Sequence, residues 1–302
     1  MALRLALDLG SGATKMCLVR VATSASLPTV LAEREEELLL GHNVKSSRDG
    51  RIQPDVIEKL GGIIGTFVDE ARAAAEVAGV PASCVSSVAI ATAVYREAAN
   101  GAAVLDDLRQ RFGMRIMLVS QAEEGRLGFL TASLKWPSAV PRAPRLCCWD
   151  SGGASFQLSV GAAASEAAAS SATNLTAVRP EMVFQGAWGA SKAVHAMATV
   201  VKAPAAAGAT TAVRSVQGIA SPNPVAESEA AALVRHIRRS LEDAAVHDAT
   251  QMATMRAMFA RAIVSEKDAS LALSPHGAGA AVSLPVVAIG GSTCAFNMCA
   301  RA

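Results

Sequence analysis

The chain has 302 residues, 51% of them hydrophobic and 18% charged, with a formal net charge of +2. That length suffices for two domains with real cores, and so small a charge excludes nucleic-acid or membrane recognition by bulk electrostatics. Aromatic residues make up 4% of the chain, which argues against a base-stacking surface. The six cysteines, Cys17, Cys84, Cys147, Cys148, Cys294 and Cys299, form no C-x-x-C pair, so no zinc site is expected. The sequence carries no signal-peptide pattern and no apolar run of bilayer length, so the expected location is cytoplasmic and reducing, with no nucleic acid and no membrane among the partners.

In chain order, Leu3 to Leu7 and Thr14 to Ala22 are strand-like and flank the turn Asp8-Leu9-Gly10-Ser11-Gly12-Ala13. Pro28 to Leu40 alternates as a third strand, with Glu33 to Glu37 as its wet face, and Gly41 to Pro54 is expected as a basic loop carrying Lys45, Arg48 and Arg51. Asp55 to Ala78 has helical spacing, ended by Gly79 and Pro81. A buried strand, Val85 to Ala91, leads through Thr92 to Gly101 into a helix over Ala102 to Phe112. After a strand from Arg115 to Val119, Ser120 and Glu123 have capping-box spacing at the start of a further helix. That helix is expected to turn Leu127, Leu130 and Leu134 inward. Its Glu124 stands about 100° around the helix from Glu123, so capping does not explain it.

Pro137, Pro141 and Pro144 mark a hinge over residues 135–145. Beyond it the opening pattern recurs: a strand from Leu146 to Trp149, the turn Asp150-Ser151-Gly152-Gly153-Ala154-Ser155-Phe156-Gln157, and a strand from Leu158. Ala162 to Thr173 and Ala203 to Pro224 are low in complexity and expected as loops. Met182 to Gly189 is expected as a strand and turn with a helix after Ser191. Glu227 to Val246 is expected as a helix with Leu233, Val234, Ile237 and Leu241 inward, followed by a helix over Thr250 to Val264. A last strand, Pro285 to Ile289, runs into Gly290-Gly291-Ser292-Thr293, whose backbone donors would face a phosphate or nucleoside.

A Gly- and Ser-rich turn between strands exposes successive N–H groups, the geometry that cradles phosphate oxygens. An Asp at its mouth can hold a divalent cation. One such turn is equally well an ordinary hairpin. Two in the same register favour two similar lobes clamping one phosphorylated ligand.

Five stretches together resemble the exopolyphosphatase/guanosine pentaphosphate phosphohydrolase (Ppx/GppA) family. Asp8-Leu9-Gly10-Ser11 is similar to its first phosphate loop, D-x-G-S-N-S. Ala91 to Gly101 is similar to its A-T-x-A-x-R-x-A-x-N-G segment, and Ser120 to Leu127 to its S-G-x-E-E-A-R-L segment. Asp150 to Gln157 resembles its second loop, D-I-G-G-G-S-T-E, and Gly290 to Thr293 its A-x-G-G-T turn. The resemblance implies an α/β fold of two ribonuclease-H-like lobes, of the actin-like/sugar kinase/heat-shock ATPase superfold, with mixed sheets flanked by helices. It implies an N-terminal lobe over 1–136 and a C-terminal lobe over 145–302. It assigns Glu124 as the base acting on water and Arg96 as the phosphate contact. Asp8 and Asp150 fall at a Mg²⁺ (or Mn²⁺) site. Gly10, Ser11, Gly12, Gly152, Gly153, Ala154 and Ser155 become the phosphate cradle, with Gln157, Gly290, Gly291 and Ser292 beside it.

The implied activity is phosphoanhydride hydrolysis, releasing terminal phosphate from polyphosphate or from a guanosine penta- or tetraphosphate-type nucleotide. The chain departs from the family pattern at Gly12, Ala13, Ala154, Phe156 and Gln157. Gln157 replaces a Glu, removing a carboxylate expected beside metal and water. The sequence also stops soon after Thr293, where the family continues, so the second lobe is expected to be short and to leave apolar surface for a homodimer. The alternative from another class is a catalytically impaired relative that binds polyphosphate or nucleotide for regulation. A kinase or ATPase of the same superfold is less favoured, because Arg96 and Glu124 sit in segments diagnostic of the phosphatase branch.

Overall fold

The computed structural model describes residues 2–22, 28–134, 145–163, 178–201, 215–216, 219–220, 226–242, 250, 253 and 286–290. Strict alternation places Leu3, Leu5, Leu7 and Leu9 on one face of β1 (Ala2–Leu9), all buried. β1 pairs antiparallel with β2 (Ala13–Val21), and β2 with β3 (Thr29–Glu37). On the other side of β1 lie β4 (Val85–Ala91) and β5 (Arg115–Leu118), both parallel, giving the order β3-β2-β1-β4-β5.

α1 (Leu40–Ser46) and α2 (Pro54–Val77) follow β3. Pro54 suits the first helical turn of α2, where its missing N–H leaves no bond unmade. Leu60, Ile64, Phe67, Ala71 and Ala75 then form one buried stripe against the sheet. α3 (Ala93–Glu97) and α4 (Gly101–Phe112) complete this core through Val104, Leu105 and Leu108. Gly113 ends α4 with φ of 60°, a conformation that favours glycine.

The second sheet contains β6 (Arg145–Ser151), β7 (Phe156–Ala162) and β8 (Met182–Gly186) in antiparallel succession. A short antiparallel ribbon, β9 (Ser215–Val216) and β10 (Ile219–Ala220), stands apart from it. β11 (Val286–Gly290) joins parallel to β6, so the order is β11-β6-β7-β8. Order and directions repeat those of β4-β1-β2-β3, the duplication that a pair of ribonuclease-H-like lobes requires. The remaining helices are α5 (Gln121–Leu134), α6 (Ala190–Ala196), which runs into a π-helical turn at Met197–Val201, and α7 (Glu227–Glu242).

Three local expectations are corrected. The basic stretch after β3 is not all loop: Leu40, fully buried, anchors α1, and the strand ends at Glu37 rather than Leu40. Burial of that one side chain outweighs the weak helical propensity of Gly41, His42 and Asn43. α5 does not turn a leucine stripe inward. Its buried residues are Gly125, Gly128, Phe129, Ala132 and Ser133, with Leu130 only partly buried, because the glycines bring the helix close to the second sheet while Phe129 fills the core beside it. In α7, Leu233 and Ile237 are partly buried one turn apart, while Val234, rotated about 100° from Leu233, is 48% exposed. The sequence-expected helix over Thr250 to Val264 falls outside the described residues save for positions 250 and 253, as do most of the hinge and both low-complexity stretches.

Candidate active site

The two Asp-Gly turns close identically. Gly10 N–H donates to Ala13 O at 3.0 Å, and Gly152 N–H donates to Ser155 O at 2.9 Å. At Gly10 a Cβ would stand 2.8 Å from Ala13 O, so the first turn needs glycine. Across the hairpins Asp8 faces Lys15 and Asp150 faces Gln157. Each turn is buttressed by the helix that follows the third strand of its lobe. Gly41 N–H of α1 donates to Ser11 O at 2.8 Å, and Ala190 N–H of α6 donates to Gly152 O at 3.1 Å. Ser11 and Ala154 are buried in these contacts. Gly290 ends β11 beside Ser151; Gly291 and Ser292 lie outside the described residues.

α5 carries the acid between the turns. Ser120 and Glu123 form the expected capping box: Ser120 N–H donates to Glu123 Oε2 at 2.8 Å, and Glu123 N–H donates to Ser120 Oγ at 3.2 Å. Glu123 is thereby committed to the helix end, and these bonds hold its carboxyl below the usual range. Glu124, the next residue, points elsewhere. Its side chain is 10% exposed. Arg96 forks onto it, Nη1 to Oε1 and Nη2 to Oε2, both at 3.3 Å. Gln157 Nε2 donates to Glu124 Oε2 at 3.1 Å and reaches Ser155 Oγ at 3.5 Å. The structure therefore brings together Arg96, Glu124, Gln157 and Ser155, which are far apart in sequence.

Two glycines of this arrangement carried no signal in the sequence reading, and two motif residues turn out to be architectural. Gly125 and Gly128 let α5 settle on the second sheet. A Cβ at Gly125 would lie 2.5 Å from Val183 Cγ1, and one at Gly128 would lie 2.9 Å from Asp150 Oδ2. Asn100 is buried and bonds both ways with the backbone of Ile52: its Nδ2 donates to Ile52 O and its Oδ1 accepts from Ile52 N–H, each at 2.9 Å. Gly101 lies hard against the Tyr95 carbonyl, where no side chain fits. The Asn-Gly of the sequence motif thus fastens the α3–α4 corner that presents Arg96. Its signal was present, but it is architectural.

Electrostatically the cleft is acidic. Burial pushes Asp150 up to about 7, assisted by the charges of Glu124 and Asp8 and opposed by Lys15. Burial also raises Asp8, with Lys15 opposing. Glu124 is raised by burial against the pull of Arg96. Asp8 Oδ1 is buried with no hydrogen-bond partner. Such an oxygen calls for a cation or an ordered water. Among the described residues no group of three or more His, Cys, Asp or Glu forms a metal cage. Asp8 and Asp150 are the carboxylates here that could hold Mg²⁺ or Mn²⁺, an ion usually bound through one or two carboxylates with water and phosphate oxygens completing its shell. No described helix is long and apolar enough to cross a membrane.

Duplicated hairpin turns on two mixed α/β lobes, with an arginine-paired glutamate between them, define a two-lobed protein of the ribonuclease-H-like class. The chain belongs to the Ppx/GppA phosphatase family, whose model matches residues 17–203. Exopolyphosphatase 1 of Mycobacterium leprae is 32% identical over 155 residues, covering 51% of this chain and 42% of that protein. The chain thus spans less than half the length of that relative. The crystal structure of the type II variant of the Aquifex aeolicus Ppx/GppA phosphatase superposes with a TM-score of 0.50 at 17% identity, covering 96% of this chain and 68% of that one. A second Aquifex aeolicus structure of the enzyme gives 0.50 at 19% identity over 78% and 61%. Both agree with the fold described above.

Proposed function

We propose that the chain is a phosphoanhydride hydrolase that releases terminal phosphate from inorganic polyphosphate, with a guanosine penta- or tetraphosphate-type nucleotide as the other candidate substrate. The observation that carries this is the setting of Glu124, nearly buried between the Arg96 fork and the Gln157 amide at the junction of the two turns. The name of the Mycobacterium leprae relative supports polyphosphate over nucleotide.

In this proposal the cleft lies between the two lobes, with α5, although it falls within residues 1–136, seated on the sheet of the lobe over 145–302. The terminal phosphoryl group sits between the turns, against backbone donors of Ser11 and Gly12 and of Gly153 to Ser155, while the Gly10 and Gly152 N–H groups close the turns. Glu124 orients a water for in-line attack and takes its proton as the new P–O bond forms. The anhydride P–O bond breaks and its electron pair leaves with the shortened chain. Arg96 offsets charge on the phosphoryl oxygens, releasing part of its hold on Glu124 as it does so. Mg²⁺ held by Asp8 and Asp150 would supply further charge neutralisation. Without an added anion Arg96 and Glu124 satisfy each other, and phosphate binding is what would separate them.

The alternative, a regulatory relative that binds the same anions without turnover, draws support from Gln157, whose amide occupies an oxygen of the proposed base. Phosphate release from medium-chain polyphosphate with Mg²⁺, with Glu124→Gln as control, decides between them. Release by the parent and not by the variant supports hydrolysis. Polyphosphate binding without release by the parent supports the regulatory relative.

A further inference from the structure

Lys45 and Lys192 stand on equivalent helices beside the two hairpin turns, and the hydrolytic scheme uses neither. Lys45 lies on α1 and Lys192 on α6, the helices that occupy equivalent places in the duplicated architecture. Each helix is fastened to its hairpin turn by the same kind of backbone bond, Gly41 N–H to Ser11 O and Ala190 N–H to Gly152 O. Lys45 stands four residues beyond Gly41, and Lys192 two residues beyond Ala190. Both therefore rise within about one helical turn of the phosphate turns, one from each side.

Lys45 is the more exposed of the two, and Lys192 is partly buried. Lys192 Nζ donates to Ala187 O at 2.6 Å, a bond that holds its ammonium over the turn between β8 and α6. The two positive charges are close enough that Lys192 disfavours the charged form of Lys45, second only to burial; Glu97 acts in the opposite sense. Like charges brought together from two separate lobes oppose closure unless an anion lies between them. A phosphoryl group is well suited to that place: Lys45 offers up to three ammonium donors to its oxygens, and Lys192 up to two beside its bond to Ala187 O.

We propose that Lys45 and Lys192 form a second anion site across the lobes, which takes the phosphoryl group next to the reacting one in an oligophosphate chain. This rests on the two turns being a phosphate clamp and goes beyond it. It makes the preferred ligand one with at least two linked phosphoryl groups, so that orthophosphate alone engages the turns while tripolyphosphate also reaches the lysines. Selectivity then comes from chain length rather than from a nucleoside.

Calorimetric titration of the 302-residue chain carrying Glu124→Gln, which removes turnover, tests this with two probes, sodium tripolyphosphate and orthophosphate. Adding Lys45→Gln or Lys192→Gln should each weaken tripolyphosphate binding about tenfold, the scale of one charge-assisted contact, and leave orthophosphate unchanged. Lys45→Arg should retain tripolyphosphate binding, because the charge is kept. Lys45 is exposed, so its variants test the site even if Lys192→Gln disturbs the turn at Ala187. Unaltered tripolyphosphate affinity in both glutamine variants overturns the lysine site while leaving the clamp standing. Equal losses for both probes also overturn it, since they place the lysines at the reacting phosphate. Failure of the Glu124→Gln chain to bind either probe removes the clamp itself, and the lysine site with it.

Discussion

Gln157 and Glu124 are joined by a single hydrogen bond of 3.1 Å, from the Gln157 amide to Glu124 Oε2, and that bond links the second hairpin to the helix bearing the proposed base. Gln157 is buried, so the bond is shielded from water. A carboxylate in its place would face Glu124 at hydrogen-bond distance, adding a second negative charge beside the one that Arg96 already pairs. Like charges so placed raise the proton affinity of the pair. Gln157→Glu should therefore make phosphate release far more dependent on Mg²⁺, slower than the parent at low Mg²⁺ and faster at saturation. The check is phosphate release against Mg²⁺ concentration; superimposable curves for parent and variant sink the idea.

The approach of α5 to the second sheet gives a second prediction. At Gly128 a Cβ would stand 2.9 Å from Asp150 Oδ2 and 3.1 Å from Ile289 Cδ1. Gly128→Ala improves intrinsic helix propensity by about 1 kcal/mol, yet overpacking at such a contact costs typically about 1–3 kcal/mol. The clash should prevail, lowering thermal stability and displacing Glu124. Thermal melting and phosphate release read the two effects; an alanine variant more stable than the parent would mean that the helix stands further from β6 than described.

Asp150 makes stability depend on pH. Its carboxyl is raised from 3.8 to about 7 in the folded chain, so between these values the native state holds a proton that the unfolded chain has released. Its contribution to stability is fullest below about pH 4, declines as pH rises towards 7 and is constant above that. Asp150→Asn removes this dependence. In a chelating buffer at about pH 8 the variant should be more stable than the parent by about 2 kcal/mol, after allowance for solvent screening. Urea unfolding of both proteins from about pH 4 to 8 measures it, and parallel stability profiles would refute the assignment.

Asn100 tests whether a motif residue is architectural. Both of its bonds to Ile52 are buried. Asn100→Ala leaves the Ile52 N–H and C=O unsatisfied, at about 1–3 kcal/mol for each buried group. The variant should unfold at markedly lower denaturant. At temperatures where it remains folded, KM should rise more than kcat falls if Arg96 alone is misplaced. Wild-type stability would show that water replaces the amide.

The duplicated turns were legible because their information is local: an Asp, a Gly with a forced turn and a following strand lie within eight residues. α2 was legible through its apolar period, and the capping box through its spacing. α1 was not, since what holds it is the burial of Leu40 and a backbone bond to a turn some thirty residues earlier in the chain. Gly125 and Gly128 look like ordinary helix-weakening residues until the second sheet lies against them. Gln157 read as a lost carboxylate. Only the fold supplies the partner, Glu124, that makes it a donor. Contacts between segments distant in sequence leave no local pattern, and the candidate site is made mostly of such contacts.

α5 follows β5 without a break, yet it rests on β6, β7, β8 and β11. Glu124 therefore travels with the second sheet, while Arg96, on the α3 corner, travels with the first. A rotation of one sheet against the other would draw this ion pair apart. An opened molecule would hold a glutamate stripped of its guanidinium and a guanidinium freed for incoming phosphate. On the proposed function, the pair would be a latch between the two sheets, undone by the same anion that is the substrate.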